Sequence, residues 1–547
     1  MTNAIDFVSL ALSSLSQIGR AKLLLSQNWM AAQQELRPPD SHFAHMSINL
    51  EDVSKIDRRL AFLFMAEVVL LMVWSTPNER FTRFAYCDSG TDLTIQNLLG
   101  RGLVPTVDFG YIYGLLPLLI NKFWQALFGA NPAACRAAAL VCNLATAWGM
   151  GRFASTMKVG KAGVALILFA MPDILLTSTF VLVHVLEQAL LINALAFQTR
   201  GKRGVSLAMA TACLFVKPSM AYLYGLMLLI TIAMIEPRRW RHLLAPAAVT
   251  GVLLGTLLAA IYGLGPLLTT LTPGAGMEVY KQSRHGFFHG VGRDFWYISG
   301  GGLRDYFRYE VGSWLVGTFL LIGGGLFSLV QIVRRSAART DEIVLTCTIE
   351  HLAFILIFFG NRWTWVYYYA VMILGLAAMA SRGKRHAAVI AVLALLVLAG
   401  GKVKFEMTAK LWRTEHTDAE TFHLNASGAE RSEWRKVLDL AKDHHPVVLL
   451  AECDGATVLT PGVFEPPAGT YFVPGHPLPS EIRRKADQLA KAQTIVVARA
   501  GGDLGRGGYD SWPEIALALD GTEIIFEGNL FRVERRVRPP RDFPPRG

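Results

Sequence analysis

The chain has 547 residues, of which 52% are hydrophobic and only 17% charged, with 53 Lys and Arg against 42 Asp and Glu. Its mean hydropathy of +0.36 excludes an ordinary soluble protein, because the apolar residues gather in runs of membrane-spanning length. The net charge of +11 does not point to nucleic acid, since much of it falls in short Arg/Lys clusters between apolar runs, as in multispanning membrane proteins.

The opening stretch Met1–Leu25 is interrupted by Asp6, Arg20 and Lys22 and lacks the basic start and small-residue cleavage pattern of a signal peptide. Residues 1–55 are therefore expected on the cytoplasmic side or on the membrane surface. Candidate spans follow at 60–76, 133–150, 162–178, 180–198, 204–218, 219–235, 243–262, 313–333, 343–360, 363–380 and 387–401. Eleven crossings from an internal N-terminus put every basic cluster inside, among them Lys55/Arg58/Arg59, Arg152/Lys158/Lys161, Arg200/Lys202/Arg203 and Arg382/Lys384/Arg385. The same count puts 77–132, 263–312 and everything after 401 outside. The run 111–128, YIYGLLPLLINKFWQALF, is apolar enough to be a span, yet making it one turns Arg152, Lys158 and Lys161 outward. It is read as a helix lying along the membrane surface. The expected fold is an all-α polytopic membrane bundle of about 11 transmembrane helices (range 10–13) over 56–401, with juxtamembrane helices.

Composition changes after Gly400. Short β-like runs at Val447–Leu450, Thr494–Val497 and Glu523–Phe526 alternate with helix-like stretches at Glu430–Lys442 and Ser480–Lys491. These predict a small extracytoplasmic α/β domain over 402–534. The Pro- and Arg-rich tail 535–547 is expected to be disordered. Four of the six cysteines, Cys135, Cys142, Cys213 and Cys347, lie in apolar runs and read as small buried hydrophobes.

Charges at a bilayer are costly, so each calls for a reason. Asp88 and Asp92 are four residues apart in the first outer loop, and Asp108 follows the Pro105 turn. Neighbouring carboxylates raise one another's proton affinity, which suits a proton acceptor. The plainer alternative makes them hydrated loop residues, with one capping a helix. In FVLVHVLEQALL, His184 and Glu187 share a helix face, for a site or for a hydrogen bond tying helices together. Lys217 precedes Pro218 at the outer end of the fifth span, where an ammonium meets a lipid phosphate or merely snorkels. The loop 263–312 carries Arg284, His285 and His289, and Arg362 precedes the aromatic run WTWVYYY. No carboxylate stands in register with the two histidines, so no metal site is assigned. Asp88, Asp92, Asp108, Glu187, Lys217, Arg284 and Arg362 all fall on one side of the membrane in a topology fixed by other residues. That distribution fits a site at the outer leaflet.

The sequence resembles the polytopic GT-C glycosyltransferases of the bacterial mannosyltransferase/aminoarabinose-transferase-like group over roughly 60–400. The likeness is carried by Asp88, Gly102, Pro105, Asp108 and the rim Tyr111–Pro117, then by Phe128-Gly129 with Arg136 and by Lys217-Pro218. Many relatives have an acidic residue directly after the first aspartate, where this chain has Ser89. The resemblance implies glycosyl transfer from a polyprenyl-phosphate-linked sugar to a glycan, lipid or protein acceptor at the extracytoplasmic face of a bacterial inner membrane. It makes Asp88, Asp92 and Asp108 the catalytic candidates and Lys217, Arg362 and Arg284 the phosphate-binding ones. Glu187, His184 and His289 would position sugar or acceptor. No cofactor is required, although the acidic cluster leaves room for a divalent cation. Two rival readings are a membrane transporter or lipid flippase, and a non-catalytic scaffold in cell-envelope glycan assembly.

Overall fold

The computed structural model describes residues 50–76, 79–82, 90–175, 182–218, 221, 225, 240–272, 312–334, 336–358, 365–414, 416–451, 454–470, 477–498 and 512–540. Most of these are helical. In chain order the helices are α1 (Leu50–Trp74), α2 (Thr91–Gly100), α3 (Leu116–Phe128), α4 (Pro132–Thr156), α5 (Lys161–Ile174), α6 (Leu182–Thr199), α7 (Arg203–Leu214), α8 (Trp240–Tyr262), α9 (Leu264–Leu271), α10 (Gly312–Val333), α11 (Arg339–Phe358), α12 (Trp365–Ala380) and α13 (Lys384–Thr414). Each predicted span except 219–235, which lies almost wholly outside the described residues, coincides with one of the longer helices. Among the described residues, three helical stretches are long and apolar enough to cross a membrane, Leu182–Thr199, Leu243–Tyr262 and Val316–Val333.

Helix starts follow local chemistry. Asn131 caps α4 by accepting the N–H groups of Ala133 at 2.9 Å and Ala134 at 3.2 Å, with Pro132 at the first helical position. In the bundle α4 packs on α6, α6 on α7, α7 on α8, and α5 between α12 and α13. Gly151 lets α4 cross α1 closely, since a Cβ there would lie 2.5 Å from the Ala61 Cα. The outward faces stay apolar, with Val252, Leu253 and Phe319 about two-thirds exposed or more, a surface suited to lipid rather than water.

Polar ties join the helices at the basic end of the bundle. Arg203 grips Glu342 through two hydrogen bonds, Nε–Oε1 at 3.1 Å and Nη2–Oε2 at 2.7 Å. Arg382 contacts Asp341 Oδ1 at 2.6 Å and also bonds Ser328. Pairs this buried hold geometry more than they add stability. All four cysteines named above are buried and free.

Beyond the bundle lie the short strands β1 (His416–Thr417) and β2 (Asn425–Ala426), α14 (Gly428–Ala441), β3 (Val447–Leu450), α15 (Gly455–Leu459), α16 (Pro479–Lys491), β4 (Thr494–Ala498), α17 (Pro513–Ala518), β5 (Thr522–Glu527) and β6 (Phe531–Arg536). The four-stranded sheet has the order β3-β4-β6-β5, with β3 and β4 parallel and β6 antiparallel to both neighbours. Two expectations are corrected. The last bundle helix does not end at 401 but runs to Thr414, because KVKFEMTAKLWRT holds good helix formers after the Gly-Gly step; its Trp412 Nε1 reaches the Trp74 carbonyl at 2.8 Å. The tail does not begin at 535, since Arg535 and Arg536 belong to β6, an interior strand whose Phe531 and Val533 are buried. Its arginines mask an alternation that places those apolar side chains on the core side.

Within the unit Ser54–Gly547 the sheet layer is fused to the first loop. Phe81, Leu93 and Cys135 share one core with Trp434, Phe464 and Phe531, and the Phe81 and Trp434 rings stand 5.1 Å apart. Asn425 donates to the Glu79 carbonyl through its N–H at 3.0 Å and to the Thr76 carbonyl through its amide at 2.6 Å.

Candidate active site

The first loop folds back over one end of the bundle. Its turn 104–108 is closed twice, by the Asp108 N–H on the Val104 carbonyl at 2.8 Å and by the Val104 N–H on Asp108 Oδ2 at 2.7 Å. The rim segment then runs against the end of α7, where the Gly114 N–H donates to the Val216 carbonyl and the Leu116 N–H to the Phe215 carbonyl, both at 2.9 Å. Glycine is required at 114: a Cβ would sit 2.1 Å from the Phe215 carbonyl carbon and oxygen, and backbone cannot swing aside. Gly114→Ala should therefore push the rim off α7, destabilising the protein by about 1–3 kcal/mol or more. Thermal unfolding of the purified variant checks this, and an unchanged midpoint would contradict the packing.

That contact sets Lys217, the next residue after Val216. Its Nζ lies 3.3 Å from Glu187 Oε2, with the two side chains 11% and 2% exposed. One turn back on α6, His184 meets the Tyr113 ring edge-on at 5.7 Å, and Tyr113 meets Tyr111 at 6.0 Å. Tyr111 donates its hydroxyl to the Gly114 carbonyl at 3.2 Å. Burial raises the Tyr111 phenol well above its usual range, and the nearby Asp92 carboxylate and Tyr262 add to this.

Asp92, in the first turn of α2, is 5% exposed. Its Oδ2 accepts the Leu182 N–H at 3.1 Å, so the carboxylate sits at the start of α6, where the helix dipole favours negative charge. Burial nonetheless pushes it up from 3.8 to about 6, with the Leu182 N–H the larger of the opposing effects. The folded state thus holds this proton more tightly than the unfolded chain. Asp92's share of stability is full below about pH 4 and is lost as pH rises through about 6, a change of about 3 kcal/mol. Asp92→Asn keeps an oxygen for Leu182 and stays uncharged at every pH, like the protonated carboxyl, so it should escape that loss. The difference in unfolding midpoint between wild type and variant should grow from pH 4 to 7; a constant difference would refute the shift.

The structure thus gathers Asp92, His184, Glu187 and Lys217 beneath the Tyr111–Leu116 rim, while Asp108 is occupied in its own turn. Asp88, Arg284, His289 and Arg362 lie outside the described residues. Among the described residues, several participants were not singled out from sequence. Tyr262, at the end of α8, acts on Tyr111; Glu79 forms an ion pair with Arg136, which opens α4; Gln125 of α3 lies 3.5 Å from the Asp92 carbonyl. A buried glutamate just past the first span was a usable sign of the second. Nothing in the sequence marked the others. Among the described residues no group of three or more His, Cys, Asp or Glu is placed to hold a metal ion.

No protein-family model and no curated protein matches the sequence. The chain is similar to two solved structures of ArnT from Cupriavidus metallidurans, one bound to undecaprenyl phosphate and one in the apo state. In both comparisons the identity is 14%, the TM-score 0.49, and the match covers 86% of this chain and 97% of that one. This is a likeness in the course of the chain and assigns no activity to it.

Within the site the chemistry is that of a recessed cation beside aromatic and imidazole groups. Glu187 holds the Lys217 ammonium in place from one side, and the side chain retains some exposure. A lysine ammonium acts toward an anion as a point charge.

Proposed function

We propose that the protein transfers a glycosyl group from a polyprenyl-phosphate-linked sugar to a hydroxyl or amine of a glycan, lipid or protein acceptor, at the extracytoplasmic face of a bacterial inner membrane. The observation that carries this reading is the Glu187–Lys217 pair at 3.3 Å, buried at the bundle end under the aromatic rim Tyr111–Tyr113. Ionisable groups buried at a membrane rim are rare and costly, and such a pair marks a candidate functional site. The motifs Asp88, Gly102, Pro105, Asp108 and Lys217-Pro218 supply the donor class by resemblance.

In this scheme the acceptor oxygen or nitrogen attacks the anomeric carbon while the bond from that carbon to the phosphate oxygen breaks. Asp88 takes the acceptor's proton, and the polyprenyl phosphate departs with the bonding electrons. A single direct displacement gives inversion. The leaving phosphate needs countercharge rather than a proton, which we assign to Lys217 with Arg362 and Arg284. Asp92 and Asp108 hold the first loop in place, through the Leu182 N–H and the Val104 N–H. Glu187, His184 and His289 position sugar or acceptor. No cofactor enters the scheme; a divalent cation would act only as added countercharge.

The test is transfer by the purified protein in lipid nanodiscs, with a panel of polyprenyl-phosphate sugars and release of polyprenyl phosphate as the readout. Release that depends on acceptor supports the reading. Absence of release across the panel, with the lipids bound, would favour the scaffold or transporter alternatives.

A further inference from the structure

The carboxylate of Glu481, on α16 of the C-terminal layer, is wholly buried. It has no ion-pair partner within bonding distance among the described residues, but it is surrounded by donors. Oε2 accepts the Gly110 N–H at 2.7 Å and the Leu478 N–H at 2.7 Å, and Oε1 accepts the Thr470 N–H at 2.9 Å. The Thr470 hydroxyl lies 3.3 Å from Oε1 and donates to the Gly110 carbonyl at 2.9 Å. Gly110 is thus held at both its N–H and its C=O. Two residues earlier, the Asp108 carbonyl accepts from Ser480 Oγ at 3.3 Å and from the Arg484 guanidinium.

A buried carboxylate is tolerated only when such donors replace its water. Here those donors come from two separate parts of the chain, the layer itself and the first loop. Every bond from α16 to 108–110 goes to main chain, so it fixes the path of the loop rather than recognising its side chains. The segment held in this way leads directly into Tyr111 and the Gly114–Leu116 contact with Phe215–Val216, beside Lys217. We infer that Glu481, together with Thr470, is a positioning residue of the candidate site, acting through Gly110 to set the aromatic rim against Lys217 and Asp92.

This rests on the transferase reading for its kinetic arm only. Glu481→Gln keeps size and shape but turns an amide N–H₂ toward an N–H donor, and Thr470→Val removes the hydroxyl on the Gly110 carbonyl. Thr522→Val is the control, because its hydroxyl bonds Glu534 at 2.6 Å within the same layer and touches no part of the first loop. In the full-length protein, hydrogen exchange over residues 103–116 should accelerate at least tenfold in both test variants and stay unchanged in the control. Transfer should fall about 10- to 100-fold in kcat, with the donor KM within about threefold, as for misplacement of groups that still bind. Unchanged exchange over 103–116, or a kcat loss no greater than that of Thr522→Val at matched unfolding midpoint, would overturn the proposal. If wild type shows no transfer, the functional reading fails, and the exchange result still decides for or against Glu481 as the residue that sets the rim.

Discussion

Asp88→Asn is expected to lower transfer by roughly 10²- to 10⁴-fold, the usual contribution of a positioned proton acceptor. Asp88 takes this role in our scheme from the resemblance, while the other two loop carboxylates are engaged in the fold. Asp92 spends one oxygen on the Leu182 N–H at the start of α6. Asp108 closes its own turn on the Val104 N–H. Our scheme gives the acceptor's proton to Asp88, the first aspartate of the motif on which the resemblance rests. Asparagine keeps the shape and loses the basicity, so membrane insertion and binding of the lipid donor should be retained. Transfer assays run beside a lipid-binding measurement separate the cases. Wild-type transfer by Asp88→Asn would remove the base from the scheme, and loss of lipid binding in step with transfer would point to a structural role.

Lys217→Met should lower transfer by roughly 10²- to 10³-fold, comparable with the loss of one group that stabilises a developing anion. It should also cost stability, because Glu187 would remain buried without its countercharge at 3.3 Å, a loss of about 3–5 kcal/mol. The two effects can be separated by adding Glu187→Gln. The double variant no longer buries a lone charge, so its unfolding midpoint should recover most of the loss. Its transfer should not recover, since the Lys217 countercharge to the phosphate is still missing. A double variant that regains transfer along with stability would show that Lys217 serves only the helix pair.

The bundle was legible because its cause is local. A run of apolar side chains long enough to cross hydrocarbon must satisfy its own backbone hydrogen bonds, and the helix does this within the run. The same holds for the start of α4, where Asn131 and Pro132 act within one turn. The strands Val447–Leu450 and Thr494–Ala498 were legible for a similar reason, being short apolar runs between polar turns. The sixth strand was not, since Phe531–Arg536 is a strand by virtue of the neighbours on both of its sides. The end of α13 was misjudged for the opposite reason: composition changes at Gly400, but helix propensity does not.

The site divides in the same way. Glu187 and Lys217 were each recognisable as charges in apolar surroundings, and sequence assigned them separate tasks. Their contact depends on α6 and the end of α7 lying side by side, with Gly114 admitting the rim against Phe215. The aspartate-bearing loop was recognisable too, yet its attachment to Glu481, some 370 residues further on, has no local signature. Sequence alone determined that this protein belongs in a membrane and which polar residues needed explaining, because hydropathy and charge cost are properties of each segment. Only the tertiary structure decided which of those residues meet, because a buried ion pair or carboxylate is defined by the partners that replace its water.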